Sequence, residues 1–223
     1  MGSGSFPIDL LLFGMIAAFL VLRLRSILGR RTGFERSRAE RGPVQVPGMG
    51  RPVGPVVDGT MEPAAPARPL PDSASPVGAV LVRMRQVDRN FDPARFLSGA
   101  EAAFRMIVAA FAAGDRVALR PLLSDETYRS FEQAIATREA NGETQRSEIR
   151  AINQASIEQA SLAGTIGSIT VKFVSDQVAE TLDRNGTPVA GTDAVTEITD
   201  VWSFERDLAQ PDPAWRLTAA RSG

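Results

Sequence analysis

The chain has 223 residues with no cysteine and no histidine, and 25 basic residues against 26 acidic ones leave a net charge of −1. Disulfides and zinc sites built from Cys and His are excluded, and the side chain that most often carries acid–base chemistry near neutral pH is missing. Residues 23–51 hold eight arginines against Glu35 and Glu40, whereas residues 92–223 hold 13 basic and 19 acidic side chains, a balance that argues against nucleic-acid binding by the C-terminal part.

Residues 8–22 read IDLLLFGMIAAFLVL, apolar except for Asp9. Extended to 6–28, the stretch reaches the roughly 20 residues that a helix needs to span a bilayer. No charge precedes the apolar run, and the LRLRSILGRR that follows is a poor cleavage site. A single retained membrane anchor over 1–28 is therefore expected rather than a secretory signal peptide. Ile8, Leu12, Phe13, Phe19 and Leu22 are its apolar anchor residues. Arg23, Arg25, Arg30 and Arg31 are the expected contacts to anionic lipid headgroups, each contributing about 1 kcal/mol near the surface. The positive-inside bias alone would also produce such a cluster, and it places the C-terminal side in the cytoplasm.

Residues 29–78 are predicted to be an arginine-rich and then proline-rich disordered linker. Nine prolines between Pro43 and Pro76 leave no room for a helix or a sheet. Residues 79–90, AVLVRMRQVDRN, have the spacing of a short amphipathic lead-in helix, with Val80, Leu81, Met84 and Val87 on one face and Arg83 and Arg85 at its borders. Such a helix serves either as a second membrane or partner contact or as a packed lead-in to the domain, and the packed reading is preferred.

The globular domain is placed at 91–223. Asp92 caps a helix with Pro93 at its first position, and Phe96, Ala100, Ala103, Phe104, Ile107, Val108 and Phe111 recur at helical spacing up to Gly114. A short helix follows in DRVALRPLL. Ser124 starts a third, which carries Tyr128, Phe131 and Ile135 inward and stops at Asn141 and Gly142. The period then changes to two, and residues 149–157, 165–175, 177–182 and 195–206 read as strands, with 215–219 as a last one after Pro211 and Pro213. Helices followed by an antiparallel meander define an α+β class, the N-terminal helices packed on a curved antiparallel sheet that curls around the first long helix.

In ITDVWSFERD, alternation sets Ile198, Asp200, Trp202 and Phe204 on one face. A carboxylate held in an apolar concavity has a raised pKa and serves as a general base. The plainer and preferred reading puts Asp200 at the rim, bonded to a helix end or paired with an arginine such as Arg105. Phe104, Asp200, Trp202 and Phe204 are the candidate pocket residues. Phe96, Phe111, Phe131 and Trp215 share their spacing, for which core packing is the commoner role. No phosphate loop, dinucleotide glycine pattern, nucleophile elbow or calcium loop is present, so no catalytic, cofactor-binding or metal residue is assigned.

The opening apolar run with LRLRSILGRRTGFE, the proline-rich gap, and then FDPARFLSGAEAAFRMIVAAFAAGD, LRPLLSDETYRSFEQAI and EITDVWSFERD resemble the bacterial TimA family. That family is related to the membrane-associated adaptor of the mitochondrial inner-membrane import motor. The resemblance implies a cone of helices on a curved sheet, similar to the nuclear-transport-factor-two fold. It also implies a non-enzymatic adaptor on the cytoplasmic face of the inner membrane, with anionic lipid and a membrane protein complex or chaperone as partners. The chain departs from the mitochondrial relatives in lacking a long charged N-terminal chaperone-binding region. The alternative function is a membrane-tethered binder of a small apolar ligand, or an enzyme, using the concave pocket around Asp200.

Overall fold

The computed structural model of the protein describes residues 68–222. The expected anchor, the arginines after it and linker residues 29–67 lie outside the described residues.

Helix α1, Pro76–Val87, begins inside the expected linker and three residues ahead of the expected lead-in helix. Pro76 does not oppose it, because a proline in the first turn has no hydrogen bond to lose. The Ser75 hydroxyl caps the helix by accepting from the Gly78 N–H at 3.0 Å. Leu81 and Met84 are buried, whereas Val87, expected on the same face, is 40% exposed in the last turn. Asp88 follows as the cap, its carboxylate 2.9 Å from Arg206.

Helix α2, Pro93–Ala113, has the ends expected from its sequence. The Asp92 carboxylate accepts from the Arg95 N–H at 2.8 Å, and Gly114 closes the helix at φ 70°. The helix is long and apolar enough to cross a membrane. Here it buries Phe96, Leu97, Ala100, Phe104, Ile107 and Ala110, and is the core helix of the domain. A one-turn helix α3, Arg116–Leu119, leads to α4, Asp125–Asn141, which is capped by Ser124 and places Ile135 in the core.

Four strands follow: β1, Thr144–Ala163; β2, Ile166–Leu182; β3, Pro188–Asp207; and β4, Arg216–Ser222. Each pairs antiparallel with the next, in the order β1-β2-β3-β4. Four strands stand where the sequence predicts five. Residues 165–175 and 177–182 are one strand, because Asp176 keeps its pairing to Ala151 on one side and Glu197 on the other. β1 and β3 also start earlier than expected, at Thr144 and Pro188, since these polar stretches pair with the outer half of β2. Pairing partners, more than residue type, set strand ends in such a ribbon. The last strand starts at Arg216 and leaves Trp215 outside it.

Three register shifts between β1 and β2, at Ile149/Ala151, Ile152/Gln154 and Ile157/Gln159, bend and twist the sheet around α2. The far edge is closed by the chain itself: the Ser124 N–H donates to the Leu217 carbonyl and the Leu217 N–H to the Leu122 carbonyl, each at 2.9 Å.

Candidate functional site

The concave face is built by the alternation of β2 and β3. Ile169, Val171 and Phe173 of β2 lie directly opposite Phe204, Trp202 and Asp200 of β3. Residues paired across a ladder share a face, so these six form one floor. From above, α2 lowers Phe104 onto it. The Phe104 and Phe173 rings stack at 4.5 Å with an interplanar angle of 2°, and Trp202 meets Phe104 edge-on at 4.7 Å. Towards the start of α2, Phe96 packs against Phe204 at 6.1 Å and Trp215 at 4.7 Å.

The candidate residues Phe104, Asp200, Trp202 and Phe204 thus stand on one face, but as packed core. Phe104 is fully buried and Phe204 nearly so. Stacked rings fill the space in which a ligand would sit. Two hollows in the described surface are lined by other residues. One, of about 300 Å³, lies outside the sheet among Glu205, Asp207, Asp212, Arg216 and Thr218. The other, of about 200 Å³, lies between Arg105 and Val108 of α2 and Ser147 and Ile149 of β1.

Asp200 is 5% exposed. Its Oδ2 accepts from the Gln177 amide at 2.8 Å, and its Oδ1 accepts from the Ser222 hydroxyl. The same Gln177 nitrogen donates to Ser175 Oγ at 2.9 Å. The expected partner Arg105 is elsewhere: its guanidinium donates to the Ile149 carbonyl at 3.0 Å and so covers a backbone acceptor of the edge strand β1. The carboxylate sits in a patch of amide and hydroxyl donors next to the aromatic floor, not at a helix end. Buried polar groups with such partners hold a local geometry in place.

Sequence reasoning missed Phe173, Gln177 and Ser222, and with them the setting of Asp200. The period-two series 169, 171, 173, 175, 177 on β2 carried the signal for the first two. It also missed Glu101, a carboxylate on the apolar stripe of α2, 7% exposed. Both its oxygens accept from the Arg68 guanidinium, at 2.5 and 2.6 Å.

The outer face of α1 differs from the floor. Val82 is 47% exposed, and Arg83 and Arg85 are exposed beside it. Apolar and basic side chains share this face.

Residues 77–222, from α1 to the end of β4, match the Tim44-like domain. The chain belongs to the Tim44-like domain family. No curated protein matches the chain. Among solved structures, the Tim44-like chain is similar to the intermembrane-space region of the chloroplast protein ARC6, with 13% identity, a TM-score of 0.43, and coverage of 59% of this chain and 97% of that one. A conserved protein from Planctomyces limnophilus shares 14% identity at a TM-score of 0.34, covering 55% and 90%. A member of the NTF2-like family from Streptomyces avermitilis shares 16% at the same TM-score, covering 59% and 96%.

Proposed function

We propose that this Tim44-like protein is a membrane-tethered, non-enzymatic adaptor of the inner membrane that assists protein translocation or membrane-protein assembly. Its domain faces the cytoplasm, and its contacts are to an inner-membrane protein complex or chaperone and to anionic lipid. The observation that carries this reading is the Tim44-like match over the folded residues, on a domain whose concave face is filled by its own Phe104, Phe173 and Trp202. The apolar run at 8–22 and the arginines after it supply the tether in this reading. The exposed Val82, Arg83 and Arg85 of α1 supply a surface for a lipid or protein contact.

The test is photocrosslinking in intact cells, with probes at Val82 and Arg83 on α1 and at Glu205 on the outer hollow. Recovery of a membrane-complex component or a chaperone supports the adaptor. Recovery of a small molecule held by the purified protein, with no protein crosslink from either face, moves the function to ligand binding.

A further inference from the structure

The ion pair between Arg68 and Glu101 joins two unlike parts of the chain. Glu101 belongs to α2 and lies inside the family domain; Arg68 lies nine residues before that match begins. The Glu101 side chain is 9% exposed, the Arg68 side chain 45%. One partner is fixed in the fold, and the other reaches in from outside it.

Glu101 is chemically out of place. Its neighbours along the helix stripe are Leu97, Ala100 and Phe104, all buried. A carboxylate in such a setting needs a cation or a full set of donors, because its desolvation is otherwise uncompensated. Arg68 supplies a planar fork to both oxygens, the geometry in which guanidinium and carboxylate match. Arg68 opens a strap, residues 68–75, that leads into α1 at Pro76. Leu70 in the strap is 48% exposed, and the strap's other fastening is a local turn, where the Asp72 carbonyl accepts from the Ser75 N–H at 2.9 Å. Behind that turn Gly78 lies so close that a Cβ there would come within 1.9 Å of the Asp72 oxygen.

We propose that Glu101 is a guanidinium-binding socket that holds the chain's own Arg68, so that the segment leading into the domain is latched onto α2 rather than hanging from the start of α1. The latch holds residues 68–75 against the helices, and it shields the Glu101 carboxylate from water. Because the socket is in the fold and the plug is half exposed, the pair opens without unfolding the domain. This inference stands independently of the adaptor reading.

The test is a distance measurement in the full-length chain. The protein has no cysteine, so Leu70→Cys and Met106→Cys give a clean pair of spin labels at two exposed sites. Pulsed dipolar spectroscopy should give one narrow distance distribution in this background. Adding Arg68→Ala or Glu101→Gln should broaden it about twofold or more, because a released segment samples a chain-like spread of distances. The melting transition of each variant, followed in parallel, establishes that the domain remains folded; Arg68→Ala, at a half-exposed site outside the family domain, keeps the comparison valid if the Glu101 variant unfolds. A broad distribution in the background protein, or an unchanged one in Arg68→Ala, overturns the latch.

Discussion

Phe104 of α2 and Phe173 of β2 lie with their rings parallel, 4.5 Å apart, and Trp202 of β3 closes one side edge-on. This contact joins the central helix to two strands at once. Phe104→Ala removes a fully buried ring and leaves a void that rigid neighbours on three elements fill poorly. The expected cost is about 3–5 kcal/mol of unfolding free energy, measured by urea denaturation. An unchanged midpoint would mean that the ring is not part of the core.

Asp200→Asn replaces one acceptor oxygen with an amide that can only donate. Gln177 and Ser222 both donate to the carboxylate; in the variant Gln177 still donates to the remaining oxygen and the Ser222 hydroxyl turns to accept from the new amide, so two charge-assisted bonds become neutral ones. The expected loss is about 1 kcal/mol, the scale on which a neutral hydrogen bond falls short of one to a charged group. In the adaptor reading, protein crosslinks from α1 persist in the folded fraction of this variant. Their loss at unchanged stability would make Asp200 part of a working site.

Arg138 of α4 reaches to the last turn of α2 and donates to the carbonyls of Phe111 and Ala112 at 2.8 and 3.1 Å, with its guanidinium 5.2 Å from the centre of the Phe111 ring. A cation there bonds the Ala112 carbonyl, shares the Phe111 carbonyl with the Gly114 N–H and complements the helix dipole. Arg138→Ala should lower stability by about 1.5–3 kcal/mol, the range for hydrogen bonds to a charged group. Arg138→Lys should recover only part of it: one guanidinium nitrogen donates to both carbonyls while the other donates to the Gln145 side chain, and a single ammonium does not reach both sides. Thermal melting of the two variants checks the order.

The β2–β3 turn carries an acid-sensitive group. The Asp183 carboxylate accepts the N–H groups of Thr187 and Asn185, both at 2.8 Å, and these bonds hold it below the usual aspartate range. A carboxyl whose folded value is depressed stabilises the protein above its unfolded value, and that stabilisation disappears as the pH falls through the folded one. The wild-type chain should therefore lose part of its stability on acidification from neutral pH to about pH 2, and Asp183→Asn should flatten that decline while lowering stability at neutral pH. Urea midpoints across the range would test this, and an equally steep acid decline in the variant would remove Asp183 as its source.

The helices were legible in the sequence because their ends are written in single residues. Asp92 with Pro93 opens α2 and Gly114 closes it; Ser124 and Gly142 do the same for α4. The strands were less so. Asp176 looks like a break and is in fact paired on both sides, and Pro188 looks like a turn residue and begins a strand. Alternation correctly put Asp200, Trp202 and Phe204 on one inward face, all three at most 5% exposed. What it did not carry was whether that face holds a hollow. That depends on how deeply α2 sinks Phe104 toward Phe173, a distance set by side chains far apart in sequence. Glu101 was hidden for the same reason, since its partner lies 33 residues away in a stretch read only for its prolines.

Every strand in the meander pairs with its neighbour in sequence, so most of the sheet forms by closing short loops. The edge contact of β4 is an exception. It ties Leu217 to the segment at Leu122–Ser124, and the Thr127 hydroxyl donates to the Thr218 carbonyl across 91 residues of sequence. Closing so long a loop is entropically demanding, and it gains most when the hairpins already stand in place. Substitutions at this clasp should then act mainly on how quickly the folded protein opens, leaving the rate at which it forms almost untouched. The residues around Leu217 are thus the ones that govern its lifetime.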